Sequence, residues 1–234
     1  MERIDRFITN HSMYSRSIVK KLINAKRVYL NDKVVKKFDI KINEDLDIIK
    51  IDDEVIKAQR YVYLILNKPT GYVSATKDGK DKTVLDLVPK EYKWRNLFPA
   101  GRLDKDTTGL MIITDDGVFA HDILSPKKHV SKTYEVIIDI ALTTDMVEGF
   151  KSGVRLNDGD CKSAILKIKD KYLAEVILTE GRYHQIKRMF GCYKAKVVEL
   201  NRIGIGRLLL PDDLKLGMIR ELSKDELDSI KRRD

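Results

Sequence analysis

Apolar residues in the first fifty positions recur at helical spacing and then at strand spacing. The positions that form two predicted helical faces are Ile4, Phe7 and Ile8 in the first helix and Ile18, Val19, Leu22 and Ile23 in the second. Ser15 precedes the second face and can cap that helix. The pair Asn31-Asp32 separates two short apolar stretches, which predicts a hairpin with a tight turn. The pattern therefore predicts a small unit made of two helices and a hairpin.

The pattern changes after residue 50. Residues 50–60 are charged and show no periodicity, so we interpret them as a connection, with the small unit ending at residue 56 and a linker at residues 57–60. From Tyr61 onward, stretches typical of strands outnumber those typical of helices, and their close spacing favours antiparallel pairing. We therefore predict an α+β fold, with a small domain at residues 1–56 and a larger, mainly antiparallel-sheet domain at residues 61–234.

Positive charge is concentrated in the predicted small domain. The chain has a formal net charge of +9, and nine basic side chains against two acidic ones lie between residues 14 and 41. Basic side chains gathered on one helix and an adjacent hairpin form the kind of surface that binds phosphates, although a solvated basic helix would look the same. The candidate RNA-binding residues on this segment are Arg16, Lys20, Lys21, Lys26 and Arg27.

Other classes of protein are disfavoured by what the sequence contains. With 43% hydrophobic and 35% charged residues and no apolar run of about 20 residues, the chain is expected to be cytoplasmic and not to enter a membrane. The two cysteines, Cys161 and Cys192, and the four scattered histidines show no metal-ligand spacing, so we expect no metal site. Neither a phosphate-binding loop nor a complete dinucleotide fingerprint occurs, so we expect no cofactor.

A polar segment lies between two glycines immediately before an apolar strand. Residues 101–109 read GRLDKDTTG, and Leu103 is their only apolar residue, so Arg102, Asp104 and Asp106 would point away from the core of an extended backbone. An aspartate beside an arginine stays ionised, which suits a nucleophile or an electrostatic stabiliser. An aspartate-rich turn that bonds its own backbone would have the same composition. The residues alone favour neither interpretation, nor Asp104 over Asp106.

Two further segments carry candidate chemistry. In "TEGRYHQIKRMFG", residues 179–191, Arg182 and Lys187 lie close to a predicted helix start, where basic groups can orient a carboxylate or simply be solvated. In "SKTYEV", Tyr134 shares a strand face with Val136 if that residue points inward. A tyrosine there can be ordinary core packing or a platform for an unstacked base.

Taken in order, these motifs resemble a known family. The N-terminal helices and hairpin, with "RIDRFI" and "SRSIVKKLINAKRVYLND", resemble the S4 RNA-binding domain over residues 2–49. Behind them, "LNKPTGYV", "PAGRLDKDTTGLMIITDDG", "SPKKHVSKTYEV" and "EGRYHQIKRMFG" closely resemble the bacterial RsuA-type rRNA pseudouridine synthases. That family isomerises uridine in RNA to pseudouridine, with no cofactor and no metal.

The resemblance assigns roles to particular residues. It places the catalytic aspartate at Asp104, the active-site tyrosine at Tyr134, and the basic partner of the aspartate at Lys187, with Arg182 as the nearest rival. Arg102 would occupy or stabilise the gap that the displaced base leaves. The route by which the glycosidic bond breaks stays open, since attack at the sugar, attack at the base and elimination all fit.

The resemblance also implies a partner. It favours a monomer acting on ribosomal RNA or a pre-ribosomal particle, with small-subunit 16S rRNA as the substrate. One alternative is a synthase for large-subunit 23S rRNA. The other is a non-catalytic S4-type RNA-binding factor in ribosome assembly, which would explain the basic segment but leave Asp104 and Lys187 without a role.

Overall fold

A computed structural model of the protein describes residues 1–125 and 128–231. Residues 126 and 127, in the "SPKKHV" motif, and residues 232–234, at the end of the larger predicted domain, lie outside the described residues. The chain forms two compact units, residues 1–61 with 90–95 and residues 62–89 with 96–234. The segment 90–95 belongs to the first unit, although the sequence assigned it to the larger domain. The boundary at residues 57–60 stays a prediction.

The first unit is two helices followed by short antiparallel strands. Strands β2 and β3 are joined by Asn31 and Asp32, both with positive φ, as a tight hairpin turn requires. Sheet order is β3-β2-β5-β6, and β1 pairs separately with β4. The elements are β1 (Glu2–Arg3), α1 (Ile4–His11), α2 (Arg16–Asn24), β2 (Val28–Leu30), β3 (Lys33–Val34), β4 (Lys41–Ile42), β5 (Ile49–Ile51) and β6 (Glu54–Ile56).

Three details of the first unit differ from the sequence prediction. The stretch interpreted as a connection forms the β5–β6 hairpin, because strands of three residues are too short to show alternation. Ile18 is 43% exposed, whereas Val19 and the rest of the predicted face of α2 are buried. Ser15 occupies the N-cap position, but its hydroxyl contacts that of Ser17 at 3.0 Å and bonds no backbone amide of the helix.

The second unit is built on one nine-stranded sheet. Its strands are β7 (Tyr63–Lys68), β8 (Phe98–Pro99), β9 (Thr108–Thr114), β10 (Lys132–Ile138), β13 (Ile165–Ile168), β14 (Leu173–Leu178), β15 (Val197–Ile205), β16 (Leu208–Leu209) and β17 (Ile219–Glu221), and β11 (Arg155–Leu156) and β12 (Gly159–Asp160) form a separate hairpin. The α-helices are α3 (Gly117–Leu124), α4 (Thr144–Ser152), α5 (Gln185–Gly191) and α6 (Lys224–Lys231), with a 3-10 helix at Val84–Leu87. The α+β class predicted from the sequence is confirmed.

One parallel pairing joins the two halves of this sheet. Strand order is β13-β14-β10-β15-β9-β7-β17, with β8 beside β9 and β16 beside β15. The neighbours pair antiparallel except β9 and β15, whose parallel register sets Arg202 opposite Gly109 and Asn201 opposite Thr108. This pairing, called the β9–β15 seam below, places the polar GRLDKDTTG segment beside β15, although about 90 residues of sequence separate the two.

Each half of the sheet has its own apolar core. Helices α4 and α5 cover β10, β13 and β14, and their Phe150 and Phe190 rings pack with centroids 4.8 Å apart. On the other half, α3 and α6 contribute Phe119 and Ile230 to a core with β7 and β9. Strands β7 and β9 are buried along almost their whole length, which explains their nearly continuous apolar sequence.

Gly109 is required by the close approach at the β9–β15 seam. Its φ is +103°, and a Cβ at this position would overlap the carbonyl oxygen of Arg202 and the side-chain oxygen of Asn201. Only glycine avoids both the backbone strain and the overlap. The glycine that ends the polar segment is therefore a structural condition for the seam.

We expect Gly109→Ala to lower the free energy of unfolding by about 3 kcal/mol or more, because strain and overlap add. Urea unfolding followed by circular dichroism measures the change. The matched control is Gly79→Ala, since a Cβ at Gly79 meets nothing within 4 Å and its φ is not in the left-handed region. Equal stability of the two variants would contradict the seam constraint.

Candidate active site

A cavity of about 680 Å³ opens in the second unit beside the β9–β15 seam. This volume is in the range of about 300–1,000 Å³ that is typical of small-molecule sites. The cavity is bordered by the polar segment before β9, by β10, β14 and β15, and by the turn before α5. Its lining includes Arg102, Asp104, Thr107, Lys132, Tyr134, Arg182, Tyr183, His184 and Arg202.

The carboxylate of Asp104 lies at this cavity between two basic side chains. Its Oδ2 is 3.2 Å from Nζ of Lys187, and its Oδ1 is 3.4 Å from Nε2 of His184. The Asp104 side chain is 27% exposed, so the carboxylate can still be reached from the cavity. Lys187 comes from α5 and Asp104 from the polar segment, so the structure brings together two residues far apart in the sequence.

Lys187 also binds the second aspartate of the segment. Its Nζ donates to both carboxylate oxygens of Asp106, at 2.7 and 2.8 Å. Burial alone would lower the pKa of Lys187, but its hydrogen bonds to Asp106 and Asp104 raise it above the usual value. The bond from Lys187 lowers the pKa of Asp106. Asp106 is 73% exposed, however, so it lies at the rim, whereas Asp104 borders the cavity.

The backbone that carries Asp104 is held by a buried lysine. Nζ of Lys68 donates to the carbonyl oxygens of Asp104 (3.0 Å), Lys105 (3.3 Å), Thr107 (2.8 Å) and Pro69 (3.1 Å). Lys68 is fully buried, and burial lowers its pKa to about 8, although the nearby aspartates oppose this. One ammonium group at the end of β7 thus fixes the polar segment.

Tyr134 lies on the face of β10 that points to the cavity. Val136 and Ile138 on the same face are fully buried or nearly so, which meets the condition under which Tyr134 shares the inward face, and Tyr134 packs against the core they join. The ring of Tyr134 also borders the cavity, so it forms part of the wall of the space that Asp104 faces.

The other two candidate arginines have different surroundings. Arg102 is exposed at the cavity mouth. The guanidinium of Arg182 donates to the carbonyl oxygens of Gly159 and Asp160, which form strand β12, each at 2.8 Å. The ammonium of Lys187 lies 3.2 Å from the Asp104 carboxylate, whereas the guanidinium of Arg182 bonds β12, so the geometry favours Lys187 over the rival Arg182 as the partner of Asp104.

The predicted RNA-binding side chains lie on the first unit. Arg16, Lys20 and Lys21 are exposed on α2, and Lys26 is exposed in the turn that follows it. Arg27 is exposed but forms an ion pair with Asp52 through Nη2, which offsets its charge. Nζ of Lys20 lies 4.8 Å from the centroid of the Phe38 ring.

The described residues contain one group that could be considered for a metal. Ligand atoms of Glu2, His11 and Glu44, in the first unit, lie within 4.8 Å of one another. A carboxylate oxygen of Glu2 is already shared by Arg6, at 3.2 Å, and Asn10, at 3.1 Å. This cluster therefore carries no metal assignment. In residues 1–125 and 128–231, no helix is long and apolar enough to cross a bilayer.

Sequence reasoning missed four residues of this site. Lys68, Lys132 and Arg202 are buried, although each is basic, and His184 adopts a left-handed backbone at φ +46° immediately before α5. A signal was present for Lys68 alone, since it is a charged residue that ends the mostly apolar strand β7, whereas β10 and β15 carry other charged residues. Such a charge at a core position is unfavourable unless its surroundings satisfy it.

Comparisons with known proteins agree with this architecture. The sequence model of the family described as RNA pseudouridylate synthase matches residues 62–191, and that of the S4 domain matches residues 2–46. The chain is 38% identical over 230 residues to the ribosomal small subunit pseudouridine synthase A of Escherichia coli (strain K12), covering 97% of this chain and 99% of that protein. It is 37% identical over 230 residues to an uncharacterized RNA pseudouridine synthase of Bacillus subtilis (strain 168), covering 96% of each.

A solved structure gives the same result. A crystal structure described as a pseudouridylate synthase matches with a TM-score of 0.70 at 35% identity, covering 98% of this chain and 100% of that one. The resemblance stated from the sequence motifs is confirmed, for the synthase domain and for the S4 domain alike.

Lys132 provides a pH test of the buried site. Burial lowers its pKa to about 8, below the value of about 10.4 for an unfolded lysine. Between these values the unfolded state binds more protons, so the Lys132 contribution makes the protein more stable as the pH rises, by up to about 1.4 kcal/mol per pH unit. We therefore expect the unfolding free energy of wild type minus that of Lys132→Met to increase from about pH 8 to about pH 10.

Urea unfolding at a series of pH values measures this difference. Lys151→Met is the matched control, because Lys151 is exposed on α4 and other titrations cancel in the subtraction. If the difference in unfolding free energy between wild type and Lys132→Met changes with pH no more than it does for the control, the buried ammonium titrates like a solvated one.

Proposed function

The chain belongs to the RNA pseudouridylate synthase family and carries an S4 domain, and from that premise we propose that it converts a specific uridine of small-subunit ribosomal RNA into pseudouridine. The observation that carries the proposal is the partly exposed Asp104 carboxylate, paired with Lys187 and facing a cavity walled by Tyr134. The ion pair orients the carboxylate without blocking it from the cavity.

The target base has to leave its helix before it reaches this carboxylate. Enzymes that act on a base turn it out of the stack, at a cost of a few kcal/mol. The ring of Tyr134 offers a flat wall for the displaced uracil, and Arg102 at the mouth can take the place of the base or neutralise its phosphate. Confinement by the cavity walls keeps the freed uracil close while it turns to present C5 to the sugar.

Ribosomal RNA is the substrate that the relatives support. Those named for a known substrate act, by their names, on the small subunit, and the identity extends over nearly the whole chain. The exposed basic side chains of α2 would bind phosphates and offset the cost of turning the base out. The identity to a relative named for the small subunit favours that substrate over the large-subunit alternative, and a purely RNA-binding role leaves the cavity unexplained. Action as a monomer on free rRNA or a pre-ribosomal particle, and a cytoplasmic location, stay predictions.

We expect Asp104→Asn to reduce pseudouridine formation by about four orders of magnitude or more, because the amide keeps the shape but loses the charge. Affinity for rRNA should change only within a few-fold. Carbodiimide treatment followed by primer extension on small-subunit rRNA from cells lacking the gene measures the product.

Asp106→Asn is the matched control for this variant. Both aspartates bind Lys187, but Asp106 lies at the rim, so its variant should keep activity within about tenfold. Full activity of Asp104→Asn, or a greater loss from Asp106→Asn, would remove Asp104 from the proposed role.

The basic surface of α2 predicts a change in salt dependence. Replacing Lys20 and Lys21 by alanine should weaken rRNA binding and reduce the slope of log K against log salt by about 1.4 to 1.8, since two fewer counterions are released. Filter binding at several salt concentrations gives the slope.

Lys167 and Lys169 provide a control pair of equal charge. They are exposed on or beside β13 and both lie close to Glu175, so their double alanine variant should leave the slope unchanged. Equal slopes for wild type and the Lys20, Lys21 variant would show that α2 does not contact RNA.

A further inference from the structure

Three basic side chains are buried beneath the cavity. Lys68, Arg202 and Lys132 are 0%, 3% and 7% exposed, and no other lysine or arginine is buried in residues 1–125 and 128–230. Arg202 is close enough to affect the titration of both lysines electrostatically. The two buried acidic side chains of the described chain, Asp5 and Asp116, do not line the cavity.

Two of these cations lie with Tyr134 on one face of the sheet. Lys132 and Tyr134 are two residues apart on β10, and Tyr134 is directly opposite Arg202 on β15. All three line the cavity that Asp104 faces. The cavity lining therefore combines an aromatic ring and two buried cationic side chains on one face of the sheet.

Arg202 and Lys132 each have an N–H donor that no acceptor in the described part of the chain occupies. Nε of Arg202 donates to the carbonyl oxygen of Leu110 at 2.7 Å, whereas its Nη2 is buried and has no hydrogen-bond partner. Nζ of Lys132 donates to two carbonyl oxygens, of Ile123 and Val130, and an ammonium has three protons to donate. Thr107, which also lines the cavity, has a buried hydroxyl without a partner.

Burying several cations without a buried carboxylate beside them is unfavourable. The lining has two carboxylates, but Asp104 is already paired with Lys187, and Glu180 accepts a hydrogen bond from Gln185 and lies 3.8 Å from Nε of Arg182. Buried groups left without partners need an explanation, and they are concentrated at sites where charge develops during a reaction. An excess of positive charge in the cavity lining therefore suits a ligand that becomes negative within the cavity.

We propose that Arg202, assisted by Lys132, binds the carbonyl oxygens of the displaced uracil and stabilises the negative charge that the ring acquires when its bond to the sugar breaks. This inference rests on the proposed function and adds a catalytic role that Asp104, Tyr134 and Lys187 do not supply.

The bonds and electron pairs of this step are rearranged within the substrate, so no outside oxidant or reductant is needed. The N1–C1′ bond breaks, and its electron pair goes to the uracil ring, where it is delocalised onto O2 and O4. After the ring turns, C5 donates an electron pair to C1′, the C5 proton is lost, and N1 gains a proton. Cationic donors at the carbonyl oxygens lower the energy of the intermediate state and add little to binding of the neutral base.

The test compares two leaving groups in single-turnover reactions. Transcripts of the small-subunit rRNA carry uridine or 5-fluorouridine at the position that the wild-type protein modifies. Fluorine withdraws electrons and stabilises the anionic ring, so a fluorinated base depends less on the protein. Because C5 of that base carries no proton, the readout for both substrates is loss of the starting nucleoside in nuclease digests.

We expect Arg202→Gln to slow loss of uridine by about 100-fold but loss of 5-fluorouridine by about tenfold or less. Arg202→Lys, which keeps the charge, should recover part of the rate on uridine. RNA affinity should be unchanged in both variants. Equal slowing on the two substrates, or no slowing on either, would overturn the inference while leaving the wild-type activity, and hence the proposed function, intact.

Failure of the proposed function has a different signature, since wild type itself would then convert no uridine in the rRNA. If circular dichroism shows that Arg202→Gln does not fold, Lys132→Met replaces it, because this variant leaves the bond from Arg202 to Leu110 in place. The same difference between the two substrates is expected there, and its absence would overturn the inference.

Discussion

The ammonium group of Lys68 determines where the Asp104 segment lies. An aspartate in a glycine-bounded, polar stretch has no apolar anchor except Leu103, so side-chain burial alone cannot hold it. Four backbone carbonyl oxygens, three of them from the segment, converge on this nitrogen, and charged hydrogen bonds of this kind are stronger than neutral ones. The position of the carboxylate is thus set by a strand end that does not line the cavity.

The charged side chains at this site lie in two layers. At the cavity wall, Lys187 and His184 are partly exposed and pair with Asp104. Below it, Lys68, Lys132 and Arg202 are buried, and Lys68 and Lys132 bind carbonyl oxygens in place of carboxylates. Because carbonyl groups stabilise a cation without cancelling its charge, the lower layer retains a positive potential that the upper layer lacks.

Much of this arrangement could be predicted from the sequence, and the reasons for the rest are physical. Val136 and Tyr134 followed from alternation, and the turn at Asn31-Asp32 followed from its residue types, because both signals are local. The β5–β6 hairpin was missed because its strands are three residues long. The roles of Lys68 and Arg202 depend on partners tens of residues away, at Thr107 and Leu110, which no local pattern encodes. Asp104 was chosen over Asp106 by family resemblance, and the difference in exposure was visible only in the structure.

The parallel pairing of β9 and β15 has a consequence for biosynthesis. Arg202 and Gly109 are neighbours across the seam, although 92 residues separate the hydrogen-bonded pair Arg202 and Leu110 in the chain. Pairing over such a distance is slow, since the intervening loop has to close first. A nascent polypeptide in which β15 has not yet been synthesised therefore lacks the Arg202 side of the cavity, and the cavity is completed only once this strand has paired with β9.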